Sequence, residues 1–126
     1  TILKGRKYML LNGILQLAIT ALAAKQLIAD SAVITLTNAD NTLLDKYNGA
    51  IALYGDGTQF DDSTDINTAL SGLTSPADDA KIAALNDIIT SRDAQTNAIA
   101  ALNQSNQDLT QVQLEKDAAQ TAYDNA

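Results

Sequence analysis

Cysteine, histidine and tryptophan are absent from the 126 residues, and proline and phenylalanine occur once each. Without cysteine there is no disulfide, thiolate metal site or cysteine nucleophile. Without histidine the chain lacks the usual general base near neutral pH and the commonest transition-metal ligand. Aromatic residues make up only 4% of the chain, so few side chains bury a large area each. A compact monomer of this composition is short of core, and association would supply the missing burial.

Basic residues are scarce and unevenly placed. Lys4, Arg6 and Lys7 lie in the first seven residues with no acid among them, which leaves five basic against fifteen acidic residues, a net −10, over positions 8 to 126. Such a tip is a candidate anchor onto an acidic surface or a phosphate backbone, beside the plainer reading of a solvated terminus. The acidic body has no basic stripe interleaved with aromatics, which argues against nucleic-acid binding. Acid is nearly all Asp, with Glu115 the single Glu, and Asn, Gln and Thr are plentiful.

Residues 8 to 29 carry Leu11, Ile14, Leu15, Leu17, Ala18, Leu22 and Ile28 at spacings near three and four. Leu10, Leu17, Ala21, Ala24 and Ile28 widen the stripe, so the helix is apolar over much of its surface and is expected to be buried against more than one neighbour, some from other subunits. The apolar run Met9 to Ala24 is interrupted by Asn12, Gly13, Gln16 and Thr20 and closed by Lys25. It falls short of the roughly 20 residues of a membrane span, and no span is expected.

Val33 to Thr37 is β-branched, Asn38 to Asn41 is a turn cluster, and Ala50 to Tyr54 is an apolar run between Asn48-Gly49 and Gly55-Asp56-Gly57. This pattern predicts a small β-hairpin insert. Ile66 to Leu73 follows as a short helix capped by Thr64 or Asp65 and stopped near Gly72.

From Ala77 to Asp124 there is no Gly, no Pro and no aromatic but Tyr123. Ser75 is the expected N-cap, Pro76 the first helical position, and Asp78 and Asp79 favour the positive end of the helix dipole. A helix of this composition is unstable alone and needs a partner. Ile82, Leu85, Ile89, Arg92, Thr96 and Ile99 form one heptad seam, and Leu102, Leu109, Lys116 and Tyr123 continue seven apart after a slip of one residue, with Ser105, Val112 and Ala119 between them. Either one coiled coil absorbs the slip, or the chain turns back near Gln104 to Gln107 as a helical hairpin.

No chemical constellation emerges. Asp56, Asp61, Asp62 and Asp65 lack the EF-hand spacing, Gly55-Asp56-Gly57-Thr58 is a turn rather than a phosphate cradle, and no S-x-x-K motif supplies a serine nucleophile with a lysine base. No catalytic residue, cofactor, metal or small-molecule substrate is assigned.

The run AIALYGDGTQFD, Ala50 to Asp61, places a strand into a GDGT turn with an aromatic two residues on. It resembles short hairpin units of tailed-phage appendage and head-decoration proteins, and the polar Ala/Asn/Gln/Thr helix that follows is similar to stalks of trimeric virion proteins. That resemblance implies a non-enzymatic virion component, assembled in the host cytoplasm, and carries over no functional residue.

The expectation is therefore a mainly α protein with an N-terminal buried helix, a small β-hairpin insert and a long C-terminal helix forming a coiled coil or helical hairpin. The division falls between 1–74, the N-terminal helix with insert and connector, and 75–126, the oligomerisation segment. Homo-oligomerisation, with a trimer favoured, would run through Ile82, Leu85, Ile89, Ile99, Leu102, Leu109 and Val112, and the N-terminal region with Lys4, Arg6 and Lys7 would anchor the protein to a larger assembly as decoration, neck or fibre base. The alternative is a soluble cytoplasmic or extracellular adaptor whose long helix pairs with a partner protein.

Overall fold

The computed structural model describes all residues from Thr1 to Ala126. It contains three helices, α1 over Ile2–Tyr54, α2 over Ile66–Ser71 and α3 over Asp79–Asp124, and no strand. The chain packs as two compact units, Thr1–Ile34 with Ala100–Ala126 and Thr35–Ile99. Each unit thus draws residues from both sides of the 74/75 boundary expected from sequence.

The predicted β-hairpin insert is absent, because α1 runs unbroken through Val33 to Thr37, Asn38 to Asn41 and Ala50 to Tyr54. Leu36, Ala39, Leu43, Tyr47, Ala50 and Tyr54 are buried or half-buried across this stretch and are spaced three and four apart, with Lys46 half-buried beside them. β-Propensity spans about 1 kcal/mol, and a mid-helix Gly such as Gly49 costs about 1 kcal/mol. Packing along the helical period outweighs both. The helix stops where the backbone needs a glycine: Gly55 has φ +84°, and its N–H donates to the Ile51 carbonyl at 2.7 Å.

In unit 2 the C-terminal part of α1 lies antiparallel to the first part of α3, tied by Gln95 Nε2 donating to Asp40 at 2.8 Å and by Lys46 and Asp87 at 3.6 Å. Leu43, Ala50, Phe60, Ile66, Leu85 and Ile88 form the core, with Tyr47, Tyr54, Ala69, Leu70, Leu73, Ala84 and Ile89 packed around it. The loop and α2 close one side. Asp65 caps α2 by accepting from the Asn67 N–H at 3.0 Å, and Ile66 turns into the core.

The Tyr54 hydroxyl is buried without a hydrogen-bond partner. Burial raises its pKa, and nearby Asp78 adds to the effect. Tyr54→Phe keeps the ring and removes the orphaned group, so it is expected to stabilise the protein by about 1 kcal/mol. Urea unfolding of the two proteins checks this, and a clear loss of stability would show that the hydroxyl has a partner in solution.

The start of α3 also differs from expectation. Ser75 does not cap it: its hydroxyl donates to the Asp79 carboxylate at 2.6 Å, and residues 75–78 form a turn. The Asp78 carboxylate instead reaches back to the Thr74 N–H at 3.0 Å, while its carbonyl accepts the first α-helical bond, from Ile82. The two acids do favour the helix start as expected, three residues later.

α3 is continuous through Gln104 to Gln107, so no turn occurs there and its partner is α1. Ile82, Leu85, Ile89 and Arg92 of the first seam are buried or half-buried, and from Ser91 onward a single row runs without a slip. Ser91, Gln95, Ala98, Leu102, Ser105, Leu109, Val112, Lys116, Ala119 and Tyr123 are buried or half-buried and alternate four and three apart throughout. The register of the second half extends back through small residues. The larger Ile89 and Ile99 lie one position off that seam.

Candidate assembly surface

Unit 1 pairs the first part of α1, antiparallel, with the last part of α3. Leu11, Leu15, Ala18, Leu22, Lys25, Ala29 and Ala32 form the inward seam of α1, facing Leu102, Ser105, Leu109, Val112, Lys116, Ala119 and Tyr123. Tyr8 and Tyr123 meet edge to face at 5.7 Å, and Lys25 reaches Asp108 at 3.7 Å. Small residues at Ala18, Ala29, Ser105 and Ala119 allow the backbones to approach. The fully buried residues of this unit are Leu15 and Ala29 on α1 and Ser105 and Ala119 on α3, and only Leu15 among them is large.

The N-terminal helix is therefore not buried as expected. All but two of the exposed large apolar side chains of the chain, Ile99 and Leu114, lie on α1, and twelve of them fall between Ile2 and Ile34. Their arrangement is ordered. Leu10, Ile14, Leu17, Ala21, Ala24 and Ile28 alternate four and three apart and follow the inward seam shifted by one residue, which is about 100° around the helix. α1 thus carries two adjacent heptad stripes, one covered by α3 and one facing out. Leu10, Ile14, Leu17 and Ile28 are 65%, 46%, 74% and 52% exposed.

The same helix contains an 18-residue window of mean hydropathy 1.5, long and apolar enough by length and composition to cross a membrane. The expectation of no span rested on its polar interruptions and on Lys25 closing the run short of roughly 20 residues.

The residues expected to form an oligomer interface on α3 have mixed fates. Leu85 is fully buried in the core of unit 2. Ile82, Ile89, Leu102, Leu109 and Val112 are half-buried, and Ile99 is exposed. Lys4, Arg6 and Lys7 are all exposed at the start of α1.

Arg92, placed by its spacing in the first heptad seam, has a definite role. Its Nε donates to the Tyr47 hydroxyl at 2.8 Å, Nη1 to the Thr64 carbonyl at 2.9 Å, and Nη2 to the carbonyls of Phe60, at 2.9 Å, and Asp61. The guanidinium pins the loop to the helix pair. Burial raises the Tyr47 pKa, and the Arg92 hydrogen bond opposes that rise. A shallow cleft beside it is lined by Leu43, Tyr47, Asp62, Arg92, Gln95 and Thr96, with the guanidinium donors directed at main-chain carbonyls. No local sequence signal indicates this clamp, because its acceptors lie 28 to 45 residues away.

The loop acids are turned on their own loop. Asp56 accepts from the N–H and hydroxyl of Thr58, and Asp61 from the N–H and hydroxyl of Ser63 and the hydroxyl of Thr64. These bonds hold both carboxyls below the ordinary 3.8. Comparison with protein-family models, curated proteins and solved structures gives no match.

Proposed function

We propose that this protein is a non-enzymatic structural subunit that self-associates through the outward stripe of α1. The observation that carries the reading is the second heptad repeat, Leu10 to Ile28, left exposed beside one that α3 covers. A heptad stripe is the surface another helix packs against. Exposed apolar stretches of this extent mark interaction sites. The wide apolar arc seen in sequence, expected to touch more than one neighbour, points the same way.

A lipid occupant is the weaker fit. The α1 stretch of unit 1 is packed against a part of α3 bearing Asp108 and Asp117, and each such charge costs about 2.5–3.5 kcal/mol at the bilayer centre.

A larger assembly, and a virion in particular, is the setting favoured by the polar, Asn/Gln/Thr-rich helix and the resemblance to phage stalk and decoration proteins. The hairpin half of that resemblance falls away, since Ala50 to Tyr54 is helical. Lys4, Arg6 and Lys7 remain the candidate anchor to other components. The adaptor alternative keeps one feature in its favour, the half-buried and exposed apolar residues of α3, which a partner's helix could cover.

Sedimentation at micromolar concentration tests the reading. The protein is expected to run as a stable oligomer, and the double variant Leu10→Asp/Leu17→Asp as a monomer with unchanged helical circular dichroism. A folded wild-type monomer would overturn self-association and favour the adaptor.

A further inference from the structure

We infer that the outward stripe of α1 pairs with the same stripe of a second copy, antiparallel, with Ile14 packed against Ala24 and Leu17 against Ala21 of that copy. This rests on the self-association proposed above and specifies its partner and geometry.

The stripe is graded in size. Its N-terminal half is Leu10, Ile14 and Leu17, and its C-terminal half holds Ala21 and Ala24 before Ile28. An antiparallel pair puts large against small in each central layer and Leu10 against Ile28 at each end, so no layer is left with alanine alone. A parallel pair would set Ala21 on Ala21 and Ala24 on Ala24, leaving voids that a close-packed interface does not tolerate.

Charge favours the same direction. Parallel helices would bring Lys4, Arg6 and Lys7 of both copies together with no acid among residues 1 to 7. Antiparallel pairing separates the two basic tips and sets each beside residues 31 to 34 of the other copy, where no like charge lies. Between Tyr8 and Ala29 the sole charged side chain is Lys25, which points to Asp108 and not to the stripe. Two copies therefore meet there without burying an unpaired charge.

The exposed apolar face of α1 extends past the stripe to Leu3 and Ile34, about 47 Å at 1.5 Å per residue, and at a helix width of about 10 Å the pair removes on the order of 1,000 Å² from water, the lower bound for a specific interface, with Lys7 falling opposite Ser31. A trimer through α3 is the less natural outcome, because α1 already occupies the seam of α3.

The absence of native cysteine makes thiol cross-linking a direct test. Ile14→Cys and Ala24→Cys variants, each checked for folding by circular dichroism, are oxidised separately and as an equilibrated mixture. The mixture is expected to yield a covalent dimer containing one chain of each, identified by mass. Either variant alone is expected to stay uncross-linked, since equivalent positions would lie ten or more residues out of register, about 15 Å, beyond disulfide reach.

Ready cross-linking of Ile14→Cys alone would overturn the antiparallel register. Oligomers that persist in sedimentation without any cross-link would move the interface off α1 and overturn this inference while sparing self-association. A monomer throughout, or binding to neutral phosphatidylcholine vesicles with no protein oligomer, would overturn both.

Discussion

Phe60→Ala is expected to lower stability by about 3–5 kcal/mol, the range for truncating a buried aromatic. Phe60 is the only phenylalanine and is 1% exposed. Its ring stacks on Tyr47 with centroids 6.3 Å apart and meets Tyr54 at 5.5 Å and 58°. Through it the loop between α1 and α2 is packed onto the helix pair alongside Leu43, Ala50, Ile66, Leu85 and Ile88. Removing it opens a cavity bounded by two long helices that cannot collapse locally. Urea unfolding followed by far-UV circular dichroism measures the loss, and near-UV signals of the two tyrosines should weaken even before unfolding. A loss below about 1 kcal/mol would mean that the loop is peripheral to the core.

Arg92→Met is expected to cost about 2–3 kcal/mol, and the cause is different. The methionine can still cover apolar surface, but the carbonyls of Phe60, Asp61 and Thr64 and the Tyr47 hydroxyl lose a shared donor. Arg92→Lys should recover little, because an ammonium on a flexible stem cannot serve four acceptors spread over a planar fork. A second readout separates this from general damage. Burial raises the Tyr47 pKa while Arg92 holds it back, so spectrophotometric titration of Arg92→Met should show a tyrosine moved further up in pH. Full rescue by lysine, or an unmoved tyrosine, would sink the clamp as described.

Much of the helical character was legible in sequence. Three- and four-residue apolar spacing over 8–29 and the Gly- and Pro-free stretch after Pro76 correspond to parts of α1 and α3. The capping of α2, expected from Thr64 or Asp65, falls to Asp65 through side-chain chemistry within two residues. The β-branched residues 33–37 misled because local preference is weak next to the period of a long packed helix. The heptad slip misled for a related reason: the isoleucines at 82, 89 and 99 outweigh the Ala and Ser positions that carry the real seam. Size signals burial only when the partner's backbone stays distant, and here the helices approach closely over small residues.

Composition and local pattern sufficed to establish that the chain is helical, poor in core and short of the groups that enzymes ordinarily use at neutral pH. They also showed α1 to be apolar over more than one face. Which face meets which helix was not encoded locally. α1 and α3 pair through residues such as Asp40 with Gln95 and Lys25 with Asp108, 55 and 83 positions apart in the chain. Once that pairing consumes the long polar helix as an internal partner, the unsatisfied surface passes from α3 to α1. Burial is a competition between faces for the same neighbour, and only the folded arrangement reveals the face left exposed.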